Sequence, residues 1–172
     1  MKHILLTGKP KVGKTTLLKT IISKINSCGG FYTEEILDEN EKRIGFKIKT
    51  LEGKEGILAL KGLNSSFRLG KYGINLKDLE EIGLVSVKEA LKNKKIIVID
   101  EIGKMELYSE KFKDLVLEVL DSGKMLLGVI HQENIEFLNK IRERKDVEIF
   151  EVNLKNHNDI LCKVLSLLKQ DY

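Results

Sequence analysis

The sequence predicts an α/β fold, a three-layer sandwich with a mostly parallel central sheet and an antiparallel β-hairpin insertion. Three observations predict it. Short apolar runs alternate with helical patterns at both ends of the chain. The run Ile96-Ile97-Val98-Ile99 is β-branched without a break, as in a strand buried on both faces. Between these, residues 37–75 alternate at period two with turn residues interspersed, the mark of hairpins.

The elements follow in order. Residues 3–7 form the first strand, and a helix follows with Leu17, Leu18, Ile21, Ile22 and Ile25 on one side. Gly29-Gly30 is the expected left-handed cap that ends this helix, and residues 31–36 form the second strand. Ile44, Phe46 and Ile48 alternate with polar residues, Glu52-Gly53 makes a turn, and residues 57–60 form a further strand. Residues 62–83 read as loop, with a short strand at 72–74. Helix 85–91, strand 96–99, a helix capped by Ser109 and closed by Gly123, and strand 125–130 come next. Helix 134–144, strand 147–152 and an amphipathic helix carrying Ile160, Leu161, Val164, Leu165 and Leu168 complete one domain over 1–172. Strands separated by helices join through right-handed crossovers.

Composition narrows the function classes. The 172 residues include 42% hydrophobic ones, enough for a core of its own, and 30 basic residues against 26 acidic ones are scattered along the whole length. No basic stripe interleaved with aromatics is present and Trp is absent, so no nucleic-acid face is expected. No apolar run approaches the roughly 20 residues of a membrane span, and no export signal precedes Gly8. Cys28 and Cys162 lack the nearby second ligand of a zinc or redox motif. A cytoplasmic monomer is the expectation.

The chemistry concentrates in two segments. Gly8-Lys9-Pro10-Lys11-Val12-Gly13-Lys14-Thr15 fits the phosphate-binding pattern G-x-x-x-x-G-K-[ST], the Walker A motif, after a strand and opening a helix. Its glycines let backbone N–H groups and the positive helix end close on an anion. Lys14 supplies charge to the β- and γ-phosphates, the Thr15 hydroxyl is a ligand for Mg²⁺, and Thr16 continues the nucleotide-binding stretch. Asp100 ends the buried strand as a Walker B aspartate able to hold Mg²⁺, and Glu101, pointing to the other side of the strand end, gives a second carboxylate near the γ-phosphate to orient or deprotonate water.

Weaker candidates flank these. His131 ends a strand and either senses the γ-phosphate or is solvated. Arg142 and Arg144 are surface cations or stabilise transition-state charge. Glu34 faces either an acceptor or solvent.

GKPKVGKTTL at the start, GGFYTEE at 29–35, RLGKYGINL at 68–76, DEIGKMEL at 100–107 and RERKDVEIFEV at 142–152 together resemble the small P-loop nucleoside-triphosphatases first described from thermophiles, with animal relatives. The resemblance implies the branch of P-loop ATPases in which an additional strand separates the P-loop strand from the Walker B strand and a glutamate, here Glu101, is the base. It also implies Mg²⁺-dependent hydrolysis of ATP, GTP and other nucleoside triphosphates to diphosphate and phosphate, with broad base tolerance. Lys104 belongs to the shared pattern. Asn156-His157 matches a segment that commonly reads Asn-Arg in the family and lies near the base, so both are candidate nucleotide contacts. Two other readings remain open: a nucleotide or nucleoside kinase, with the insertion or the Glu34 region as its acceptor pocket, and a nucleotide-dependent regulatory binding module.

Overall fold

The computed structural model describes residues 2–170; the ends of the expected 1–172 domain lie outside the described residues. Among the described residues nine strands form one sheet in the order β5-β6-β4-β3-β2-β7-β8-β1-β9. They are β1 (His3–Thr7), β2 (Cys28–Leu37), β3 (Arg43–Thr50), β4 (Glu55–Lys61), β5 (Arg68–Leu69), β6 (Tyr72–Ile74), β7 (Ile96–Ile102), β8 (Met125–Ile130) and β9 (Val147–Glu151). The fold is α/β, and β2, β7, β8, β1 and β9 form its parallel core. The additional strand is β8, which pairs with both β1 and β7. The insertion extends this sheet antiparallel from β2 through β3, β4, β6 and β5.

Alternation of side chains divides the core between two helical layers. Ile4, Leu6, Ile96, Val98, Leu127 and Val129 face α1 (Lys14–Ile22) and α6 (His157–Gln170), meeting Leu18, Ile21, Ile160 and Val164. Leu5, Ile97, Ile99, Leu126 and Ile130 face α3 (Val85–Asn93), α4 (Glu110–Asp121) and α5 (Glu136–Arg142). Helix α4 shows why such a segment folds. Ser109 Oγ accepts the Phe112 N–H at 3.1 Å, capping its start. Phe112, Leu115, Val116, Val119 and Leu120 are all buried, each contributing about 1.5–3 kcal/mol against exposure. Replacing Phe112 by Ala would remove the largest of these side chains.

Three expectations are corrected. Helix α1 ends at Ile22 with Ser23 as its cap, while Gly29 and Gly30 lie inside β2. A Cβ on Gly30, at φ +126°, would stand 2.1 Å from the Val98 carbonyl oxygen, so its glycine serves the approach of β2 to β7. The stretch read as loop before Val85 contains α2 (Leu76–Asp78) and a π-helical turn, Leu79–Leu84, that runs directly into α3. Asn75 caps it by accepting from Asp78 N at 3.1 Å. Burial of Leu79 and Leu84 beside Phe31 overrides the weak helix propensity of Gly83. Helix α5 is shorter than the predicted 134–144. Among the described residues no helix is long and apolar enough to cross a membrane, and Cys28 and Cys162 are free.

Candidate functional site

Parallel strands bring their carboxyl ends to one edge of the sheet, and ligands of open α/β sheets collect there. The loop after β1 and the end of β7 meet at that edge in a cleft of about 890 Å³, lined by Gly8, Pro10, Lys11, Gly13, Lys14, Thr15, Thr16, Asp100 and Glu101, among others. Gly13 caps α1 in the left-handed region at φ 88°. A Cβ there would also stand 3.0 Å from His157 Nε2, so the position excludes a side chain twice over. The first-turn N–H groups of a helix have no intrahelical partners, and the start of α1, Lys14 and Thr15, lines the cleft.

Lys14 Nζ donates to the carbonyls of Gly8 at 2.7 Å and Lys9 at 2.8 Å, which holds the ammonium over the loop. Burial lowers its pKa, against the raising influence of Glu101 and Asp100. Thr15 Oγ1 donates to Asp100 Oδ2 at 2.6 Å, so two oxygens from segments 85 residues apart form one donor pair. Asp100 is 1% exposed. Burial raises its pKa to about 7, with the Thr15 hydrogen bond and Lys14 pulling down and Glu101 pushing up.

Glu101, the second carboxylate expected beside the γ-phosphate, lines the same cleft as Asp100. The pairing of β7 with β8 slips between Asp100 and Ile102, and this bulge breaks the alternation that would have separated the two carboxylates. Burial raises the Glu101 pKa, opposed by His131 and Lys14. A third carboxylate, Glu106, is 3% exposed in a 3-10 turn, Glu106–Tyr108, and lines the cleft as well. Its pKa is raised well above the ordinary value by burial, then by Glu101. Glu106 lies within DEIGKMEL, but only the turn that folds it back makes it part of the site.

His131 lines the cleft, its Nδ1 accepting from Glu133 N at 3.2 Å. Lys104 lines it too and pairs with Glu133. Arg142 stays behind this loop: its guanidinium donates to the His131 carbonyl, to the Glu133 carbonyl at 3.1 Å and to Asn139 Oδ1 at 2.9 Å. Arg144 is at the other edge of the sheet, in ion pairs of 2.9 Å with Asp121 and 2.8 Å with Asp146. Neither arginine lines the cleft.

Behind the loop a second hollow of about 350 Å³ opens between α1 and α6, lined by Lys11, Val12, Gly13, Thr16, Leu154 and His157 among others. His157 Nε2 lies 2.6 Å from the Val12 carbonyl. Asn156 lines neither space, because its carboxamide accepts from Asn153 N and donates to the Glu151 carbonyl, both at 2.8 Å. Of the two residues expected near the base, His157 lines this hollow and Asn156 does not.

On β2 and the insertion the cleft also reaches Thr33, Glu35, Arg43, Phe46, Leu58 and Leu69, besides Glu34, none of which but Glu34 the sequence singles out by residue as a site candidate. The pairing of β2 with β3, and of the strands beyond it, brings the insertion residues to the site.

Comparison with known proteins follows the same lines. The NTPase family model matches residues 3–165. The chain is 54% identical over 166 residues to nucleoside-triphosphatase THEP1 of Thermotoga maritima, covering 96% of this chain and 95% of that protein. It is 36% identical to the human cancer-related nucleoside-triphosphatase, covering 98% and 97%. The crystal structure of THEP1 from Aquifex aeolicus superposes with a TM-score of 0.87 at 38% identity, covering 98% of this chain and 99% of that one.

Proposed function

The chain belongs to the NTPase family, and from that premise we propose that it hydrolyses the β–γ phosphoanhydride of nucleoside triphosphates with Mg²⁺, releasing diphosphate and phosphate. The observation that carries this reading is the convergence of Lys14, the Thr15–Asp100 pair and Glu101 on one cleft.

The donor set fits the metal. Mg²⁺ in phosphoryl-transfer sites takes one or two protein oxygens and completes its shell with phosphate and water. The hydroxyl of Thr15 and the carboxylate of Asp100, 2.6 Å apart at the cleft, are such a pair. When bound there, the ion neutralises charge on the β- and γ-phosphate oxygens. The chain's own groups do the rest. Loop amides and Lys14 hold the triphosphate, and Glu101 accepts a proton from the attacking water as the bridging P–O bond breaks. Burial raises the Glu101 pKa, which moves the carboxylate towards the basicity a general base needs near neutral pH.

Broad base tolerance is part of the proposal. The hollow behind the loop has open apolar edges, with Leu154 76% exposed. Such edges take the face of any base, whereas rejection of a base needs buried polar groups left unpaired by the wrong one. We place the protein in the cytoplasm as a monomer acting on small molecules.

Phosphate release from ATP, GTP, CTP and UTP, with and without Mg²⁺ and with no acceptor present, tests the reading. Release from all four only with Mg²⁺ is expected; Mg²⁺-independent release would sink the role given to Thr15 and Asp100.

A further inference from the structure

Arg43 meets Glu35, and Arg144 meets Asp121 and Asp146, so each of these arginines directs its charge at carboxylates. Arg142, half-buried at the last position of α5, directs its donors at neutral oxygens instead. We propose that Arg142 is a positioning residue for the hydrolysis: from behind, it fixes the turn 131–133, and through that turn the His131 ring and the Lys104 ammonium, around the γ-phosphate position. The inference rests on the triphosphate placement proposed above.

The hydrogen bonds define what Arg142 holds. Its Nη2 donates to the His131 carbonyl, and its Nη1 donates to the Glu133 carbonyl at 3.1 Å and to Asn139 Oδ1 at 2.9 Å. A cation at a helix C-terminus ordinarily serves the last carbonyls of its own helix and their dipole. Here the guanidinium reaches back to carbonyls that precede α5, and so closes the connection from β8 into that helix. A planar fork spanning two acceptors fixes direction as well as distance, which a flexible ammonium does not. Burial lowers the Arg142 pKa, so the charge is held there at some cost to stability.

The front of the same turn belongs to the cleft, which His131, Gln132 and Glu133 line. Glu133 N donates to His131 Nδ1 at 3.2 Å, so the proton of the neutral ring is on Nε2. Glu133 pairs with Lys104, three residues after Glu101, and His131 N donates to the Ile102 carbonyl at 3.1 Å. The turn is therefore tied on one side to the segment that carries Glu101 and on the other to Arg142. An N–H donor and an ammonium held in this way can stabilise charge that develops on the γ-phosphate oxygens. They do so only in place, since a shift of about 1 Å costs as much as roughly 10²-fold in rate.

The test compares phosphate release by the full chain with that of Arg142→Met and Arg142→Lys, each first shown to be folded by thermal melting. Arg142→Met is expected to lower kcat roughly 10–10²-fold and to change KM less than about twofold. Arg142→Lys, which keeps the charge without the fork, is expected to recover only part of that loss. On a His131→Ala, Lys104→Ala background the same Arg142→Met change is expected to cost less than about threefold, because the groups it places are gone. ¹⁵N NMR of the His131 ring, without nucleotide and at a pH where the ring is neutral, gives a readout independent of turnover. The proton is expected on Nε2 in the wild type and spread over both nitrogens in Arg142→Met. The role is overturned if a folded Arg142 variant keeps the wild-type kcat, if the loss falls on KM, if it is as large on the double background, or if the ring signals do not change. Absence of phosphate release by the unsubstituted chain would count against hydrolysis alone, and the ring signals would still decide whether Arg142 holds the turn.

Discussion

The two edges of the parallel core treat charge in opposite ways. At the carboxyl edge Asp100, Glu101 and Glu106 are gathered in one cleft, and burial raises the pKa of all three. At the amino edge Arg144 bridges Asp121 and Asp146, and buried His3 sits among satisfied bonds. Its Nδ1 accepts from Leu126 N at 3.0 Å, which makes Nε2 the protonated nitrogen, donating to the Leu120 carbonyl at 3.0 Å. One edge is arranged for stability, while the other holds groups in a state that water would relieve. Perturbed carboxylates clustered in a cleft are what a catalytic site needs and what a purely structural edge avoids.

The largest break in this contrast is expected from Lys14→Ala, which removes the ammonium held over the loop carbonyls. Turnover should fall roughly 10³-fold or more, read as phosphate release at saturating nucleotide. Glu101→Gln should lose roughly 10²–10⁴-fold in turnover while still binding the Mg²⁺ nucleotide by calorimetry. Normal turnover in that variant would remove Glu101 from the role of base.

Asp100→Asn sharpens the comparison in the opposite sense. A carboxyl whose folded pKa is raised from 3.8 to about 7 contributes its full share of stability below the unfolded value and loses it as pH rises through 7. Without nucleotide, Asn at this position should therefore stabilise the protein by on the order of 1–3 kcal/mol at pH 8 and depress turnover. A lower melting temperature than the wild type at that pH would contradict the idea that this edge carries an uncompensated charge.

The amino edge answers with smaller numbers. Arg144→Met should cost about 1 kcal/mol, since its ion pairs are partly solvated, and leave kcat unchanged; a large loss of kcat would restore this arginine to the reaction. His3 supplies the pH signature. Burial lowers its pKa below the ordinary value of 6.5, more than Asp146 raises it. Neutral His3 therefore stabilises the fold above pH 6.5, and that share is lost as pH falls below it through the folded pKa. A denaturant midpoint that declines over this window, and declines less in Asn at position 3, checks the assignment.

What the sequence by itself determined is the chemistry written in contiguous residues. The stretch from Gly8 to Thr15 carries its own turn, cation and hydroxyl, and the run from Ile96 to Asp100 carries a buried strand with a carboxylate at its end. Helix α4 was equally legible, since cap and apolar stripe lie within one segment. The rest depended on distant partners. Gly30 looks like a helix stop until Val98 is beside it, and the π turn before α3 exists because Leu79 and Leu84 are buried. Only the slip between β7 and β8 turns Glu101 into the cleft, and only hydrogen bonds within its own turn withdraw Asn156 from it. Nothing local to Glu106, the Arg43–Glu35 pair or Phe46 points to the cleft, although Phe46 shows in the alternation of its strand and Glu106 lies in DEIGKMEL. Their place at the cleft follows from the fold of a turn and the register of β2 on β3, and register is a long-range choice that neighbouring residues in the chain do not encode.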